Sequence, residues 1–384
     1  MPASPWPALR KSLSELPDPR VERTRLHSLL DILTIGICAV VCGAEGWDDM
    51  VSFARAKQDW LQGRLQLKLP NGIPSADTFR RVFSRLDPAA LQAAFRRWTR
   101  NLYVRTKGEV IALDGKVLRH SFDNACGLAA IHMVSAWAAK ARLILGQVKI
   151  SEKTNEIPMV PALLEMLDIR GCIITTDAMS CQTATAARIV DLGGDYVLAV
   201  KENQPHLAQD IANRFDYAEH KRWEDTSHHR RTRVDKGHGR LETRCCDLLR
   251  LEENDLLWGD VQAQWKGLRT LARVTCTRQT DKGVTSEVRY FISSLTGSAD
   301  QLLQAVRLHW GIENRLHYVL DVSLGEDSCR IRKDHGAENM AVMRHIALNL
   351  IRQEKTNPRG VKARQKQAGW DNEYLAKILV SDKN

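Results

Sequence analysis

EVIALDGK, residues 109–116, is a short apolar run that ends on a carboxylate, Asp114, with glycine directly after it. Four consecutive apolar residues bounded by polar ones suit a strand buried on both faces. Working outward, Ile131–Ala138 and Leu143–Ile150 read as two further strands joined by a tight turn near Ala139-Lys140. Pro158–Leu167 reads as a helix with Val160, Leu163, Leu164 and Leu167 on one face. Cys172–Thr176 repeats the opening pattern, an apolar strand that runs into Asp177. A helix over Thr183–Leu192 and a strand over Tyr196–Val200, ending at Lys201, complete the run.

Three strands, helix, strand, helix, strand is the order of the ribonuclease H-like fold, so an α/β catalytic core of that type is expected. Upstream the pattern is helical. Leu29–Val41 is one apolar helix and Trp47–Leu61 a second; Ser75 can cap a third that carries Phe79, Val82, Phe83 and Leu86 on one face. Asp87-Pro88 breaks it, and Ala89–Leu102 gives a fourth. Arg80, Arg81 and Arg85 on the third helix suit either a DNA-reading module or a solvated face. Beyond Lys201 the rhythm lapses. His228 to Arg244 is strongly basic, and strands follow at Leu268–Thr277 and Glu287–Leu295, which reads as a β-rich insertion carrying a basic arm. Helix returns at Ala299 and is expected to persist to Asp321. The expected organisation is an all-helical N-terminal region over 1–105, with DNA binding as one of its two readings, the first part of the core over 106–201, and the insertion over 202–297. The final catalytic helix and end of the core span 298–350, with a basic C-terminal tail over 351–384.

Asp114 and Asp177 each follow an apolar strand, and functional groups collect at the carboxyl ends of strands in such sheets. Either alone reads equally as a turn residue; two in register on successive core strands weaken that reading. Glu313 is sharper. With Leu302, Leu303, Val306, Trp310, His317 and Leu320 it falls on one stripe at 3.6 residues per turn, so a carboxylate is expected to face the protein. A buried carboxylate needs a cation, either a basic side chain such as His317 or a metal. Together the three acids suit hard divalent cations, Mg2+ or Mn2+. Two such ions about 4 Å apart would clamp the attacking and leaving oxygens of a phosphoryl displacement.

Composition points the same way. Lys and Arg number 56 against 46 Asp and Glu, a net charge of +10, which favours a polyanionic partner. The 9 cysteines form no CxxC pair and have no zinc-finger spacing, as in a reducing cytoplasm. Met1–Arg10 is polar and proline-rich, unlike a signal peptide, and Leu29–Gly43 is too short to span a bilayer. A soluble, cytoplasmic, nucleoid-associated protein is expected.

At these residues the chain resembles the DDE insertion-sequence transposases, in the branch of the H-repeat-associated proteins. The resemblance covers nearly the whole chain. It rests on IALDGKVLR around Asp114, TNEIPMVPALLEMLDI at Thr154–Ile169, IITTDAMSCQ around Asp177 and DYVLAVKENQPHL at Asp195–Leu207. GHGRLETR at Gly237–Arg244 and HWGIENRLHYVLDVSLGEDSCRIR at His309–Arg332 complete it. The family's catalytic acids fall on Asp114, Asp177 and Glu313. The resemblance implies metal-dependent cleavage and strand transfer on double-stranded DNA, both the element's terminal inverted repeats and target DNA, with self-association to a dimer on DNA. It also implies an insertion before the last acid, for which the step of 136 positions from Asp177 to Glu313 leaves room. Many relatives in the wider group carry Tyr, Arg and Lys seven before, four before and seven after the glutamate; this chain has Val306, His309 and Leu320. Lys201, Asn203, His238, Arg240, Arg315, Arg330 and Arg332 are candidate DNA contacts, each equally readable as a solvated surface group. Glu326 and Asp327 suit a helix-end ion pair with Arg330 or an additional metal group. Two other functions fit the same residues: a DNA-binding descendant that no longer cuts, and a ribonuclease H-like nuclease without strand transfer.

Overall fold

The computed structural model describes residues 5–103, 108–122, 129–150, 157–224, 226–237, 239–252, 255 and 258–380. The chain opens with helices α1 (Pro5–Ser14), α2 (Leu29–Val41), α3 (Trp47–Ala56), α4 (Gln58–Arg64), α5 (Ala76–Arg85) and α6 (Pro88–Leu102). The core follows as β1 (Val110–Leu118), β2 (Ile131–Ala138), β3 (Leu143–Ile150), α7 (Met159–Glu165), β4 (Ile173–Thr176), α8 (Thr183–Asp191) and β5 (Asp195–Val200). Next come α9 (Pro205–His220), β6 (Ser227–Gly237), β7 (Arg240–Arg250), α10 (Gly259–Gln264), β8 (Thr270–Thr280) and β9 (Gly283–Ser293). The chain ends in α11 (Ala299–Ile312), a π turn (Glu313–His317), α12 (Tyr318–Leu324), α13 (Gly336–Gln353), α14 (Val361–Trp370) and α15 (Asn372–Val380).

The described strands form one sheet in the order β3-β2-β1-β4-β5-β9-β8-β7-β6. Its first five, with β1, β4 and β5 parallel and β2 and β3 antiparallel, are the ribonuclease H-like arrangement. The insertion strands do not form a separate layer. β9 pairs antiparallel with β5, so the meander β6–β9 extends the core sheet.

Side chains alternate across this sheet. Ile111, Leu113, Ile174 and Leu198 face a core closed by α7, α8 and α9. Val110, Ala112, Ile173, Val197 and Phe291 face the opposite core, closed by α11, α13 and the N-terminal helices. α13 is the pivot of that second layer. Its buried Asn349 accepts from the Ile144 backbone N–H at 3.0 Å and donates to the Ile144 carbonyl at 2.9 Å, occupying groups that the edge strand β3 would otherwise leave open. Asn339 donates to the Phe83 and Leu86 carbonyls at 2.8 Å and fixes α13 to the end of α5.

Several expectations change. Trp47–Leu61 is not one helix, since the chain breaks at Lys57 between α3 and α4. α1 was not expected; Pro5 and Pro7 lie in its first turn, where proline is tolerated, and Leu9 and Leu13 are buried. α9, opened by Pro205, puts a 16-residue helix inside the β-rich insertion. The segment expected as a basic tail holds α14 and α15, which pack on α2 and α1. Arg364 there is buried, paired with Glu354 at 3.0 Å.

Candidate active site

Strand parity positions the acids. Asp114 continues the Val110, Ala112 row, and Asp177 continues Ile173, Thr175, so both emerge on the face that α11 covers. β4 stops at Thr176, opposite Leu113, so Asp177 follows a strand end as expected. Asp114 does not. β1 runs on to Leu118 because β2 continues to pair with it, which leaves Asp114 in mid-strand where its parallel neighbour has ended.

Asp114, Asp177 and Glu313 line one cavity of about 320 Å3, together with Thr175, Lys201, Arg289, His309 and Trp310. Asp114, Glu313 and His317 offer ligand atoms that all lie within 4.8 Å of one another. His317 Nδ1 is 3.1 Å from Glu313 Oε2 and 3.5 Å from Asp114 Oδ2. Asp177 stands outside that group, and its Oδ1 accepts the Ser180 backbone N–H at 3.1 Å.

The expected burial of Glu313 is not observed; its side chain is 59% exposed, and Trp310 is 47% exposed. α11 passes over the ends of the parallel strands at this point, so its inward face meets the cavity and not packed core. The π turn then re-aims the helix, and His317 is buried again. Burial pushes the His317 imidazole below its ordinary pKa, with Glu313 acting against it. His309, one turn before Glu313, shares a hydrogen bond with Thr175 Oγ1 at 3.0 Å. The protein packed around it pushes its pKa down to about 4, against the pull of Asp177. His309 is therefore neutral near pH 7. Its contact with Thr175 was not legible, because the two lie 134 positions apart in sequence.

Among the candidate DNA contacts, Lys201 lines the cavity. The Asn203 amide donates to the Ala178 carbonyl, bracing the loop that carries Asp177. Arg240 is exposed at the start of β7 and Arg315 on the π turn. Arg330 and Arg332 follow α12; Arg332 donates to the His120 carbonyl at 2.9 Å and lies 4.5 Å from the Phe122 ring centre. His238 lies outside the described residues. Much of the basic arm is paired within the chain: Arg231 and Arg233 share Asp300, Arg230 meets Asp247 at 2.6 Å, and Arg244 meets Asp235 at 2.5 Å. Glu326 does not pair with Arg330. It is buried, 2.7 Å from Lys116, which also holds Asp321.

The chain belongs to the DDE transposases. The family model described as "Transposase DDE domain" matches residues 105–350, and the one described as "DDE_Tnp_1-associated" matches residues 10–99. Within that family it is a member of the H-repeat-associated branch. It is 39% identical to the Escherichia coli (strain K12) protein named "H repeat-associated putative transposase YhhI", over 97% of each chain. It is 37% identical to "Putative transposase YncI" of Escherichia coli O157:H7, over 96% of this chain and 93% of the other. A piggyBac transposase in a synaptic complex with hairpin DNA overlays at a TM-score of 0.45 and 11% identity, covering 100% of this chain and 79% of that one, too remote to bear on function. No helix among the described residues is long and apolar enough to cross a membrane.

Proposed function

We propose that this transposase cuts and joins DNA at the terminal inverted repeats of its own element, through Asp114, Asp177 and Glu313. The observation that carries the reading is the convergence of all three carboxylates, from two strands and one helix, on a single cavity. The donor set suits a hard cation, since carboxylate oxygens dominate it and Asp114 and Glu313 lie within ligand reach of each other. Two Mg2+ or Mn2+ ions held by the three acids would supply Lewis-acid charge to the attacking and leaving oxygens of the displacement.

The chain's own residues do the positioning. His317 Nδ1 faces both Glu313 and Asp114, and as the neutral tautomer protonated there it donates to carboxylates that would otherwise repel each other. The Ser180 backbone N–H steadies one oxygen of Asp177. Lys201 and Arg289 supply the cavity wall with positive charge suited to a phosphodiester. Arg289 lies 4.7 Å from the Trp310 ring centre and bonds Glu287 at 2.7 Å, so its position is defined.

The test is cleavage of labelled DNA carrying the element's ends, with Mg2+, with Mn2+ and with chelator, wild type beside Glu313→Gln. Metal-dependent 3′-hydroxyl ends that vanish in the variant are expected, with joined products. Nicks without joining would make the protein a nuclease, and binding without cutting in any metal would make it an inactive descendant.

A further inference from the structure

Where the π turn meets the last turn of α13, cations outnumber acids among the described residues. Arg352 lies over the buried Trp137 ring, 4.6 Å from its centre, and donates to the Arg315 carbonyl. Its Nη1 is buried and has no hydrogen-bond partner among the described residues, and the same holds for Trp137 Nε1. These groups share one place: a Cβ added to Gly311 would lie 3.8 Å from Trp137 Nε1 and 4.0 Å from Arg315 Cδ. Burial holds the Arg352 guanidinium below its ordinary pKa, and the charges that add to the effect are all cations, Arg142, Arg315 and Arg364. Arg364 is answered by Glu354, whereas Arg142 and Arg315 are exposed. Lys355, also exposed, is depressed by burial and then by Arg142, Arg364 and Arg352, with Glu354 acting against them.

The end of α13 accounts for one of these groups, because helix C-terminal carbonyls favour a cation. It does not account for four. Elsewhere the chain answers clustered arginines with acids, as Asp300 does for Arg231 and Arg233. Like charges held together cost free energy that a bound anion relieves, and planar guanidinium groups match phosphate oxygens. Arg315 and Glu313 share the π turn, but at two positions apart their side chains leave it in different directions, and none of these cations lines the cavity of the acids. We infer that Arg142, Arg315, Arg352 and Lys355 form an anion site for one DNA backbone phosphate, outside the cavity that holds Asp114, Asp177 and Glu313. This rests on the reading of the chain as a DNA-cutting protein.

Fluorescence anisotropy of the full chain on a labelled duplex carrying the element's end, in chelator so that nothing is cut, tests the site. Arg142→Gln and Arg315→Gln are exposed changes that leave the core alone; Arg352→Met is the deeper one, with its folding checked by circular dichroism. Near 0.1 M salt the Arg142→Gln/Arg315→Gln double variant is expected to bind at least about tenfold more weakly. Its plot of log affinity against log salt is expected to be shallower by about 0.9, the slope carried by the one phosphate no longer neutralised. Wild-type affinity and slope in the double variant overturn the site. Failure of the proposed function looks different: no cleavage by the wild type in Mg2+, with the difference in salt slope intact.

Discussion

Asp114 shows how a single position carries chemistry through geometry. Its carboxylate sits in mid-strand, 21% exposed, facing a buried histidine and a glutamate from another element. Asp114→Asn keeps the shape and removes the charge. Cleavage is expected to fall by about a thousandfold or more, the scale of losing several kcal/mol of metal-assisted stabilisation. Affinity for end DNA should stay within about twofold, because phosphate contacts come mainly from Lys and Arg. Collapse of binding alongside cleavage would make Asp114 a structural residue. Asp114 and Asp177 stood out from local pattern, since an apolar run ending in a charge is conspicuous in sequence, and Glu313 from its place on an apolar helical stripe. The exposure of Glu313 was not legible, because helical periodicity specifies a face and not what lies opposite it.

At the level of elements, a buried ionic tether joins β1 to the segment after Glu313. Lys116, two residues beyond Asp114, reaches Asp321 on α12 and Glu326 just after it. Burial alone would raise the Glu326 pKa, but Lys116, Arg344 and His345 together hold it below the usual carboxylate value. Removing one partner of a buried pair leaves an uncompensated charge. Lys116→Met is therefore expected to cost about 3 kcal/mol in urea denaturation, and adding Glu326→Gln should recover more than half of it. An unchanged midpoint in the single variant would show the tether to be idle. Lys116 lies 205 and 210 positions from its two partners, so no window of sequence contained this pairing. The π turn escaped for a related reason: its widened ring depends on what α11 and α12 pack against, while Glu313–His317 reads as ordinary helix.

Over the whole molecule, acid sensitivity is built into the layer between the sheet and α13. His345 is 2% exposed, and burial pushes its pKa down to about 4. The unfolded chain takes up this proton near pH 6.5 and the folded chain only near 4, so the contribution is full above 6.5 and is lost as pH falls through that window. His345→Phe should flatten the fall in stability there by up to about 1.4 kcal/mol per pH unit. Parallel curves for variant and wild type, followed by denaturant titration across pH 7 to 4, would rule this out.

Much of the core architecture was readable because each element declares itself locally. The limits of α2, β2 and β3 agree with their periodicity, Ser75 caps α5 through the Thr78 N–H at 3.2 Å, and strand order follows from alternating strands and helices. Other features arise between elements that are distant in sequence. β9 joins β5 because the core sheet has an open edge there that an insertion strand can complete. The terminal basic segment folds back as α14 and α15 because Leu375, Ile378 and Leu379 find apolar partners among helices near the other end of the chain. Periodicity shows that a residue has an apolar face; packing alone selects the surface that buries it, and burial supplies most of the free energy.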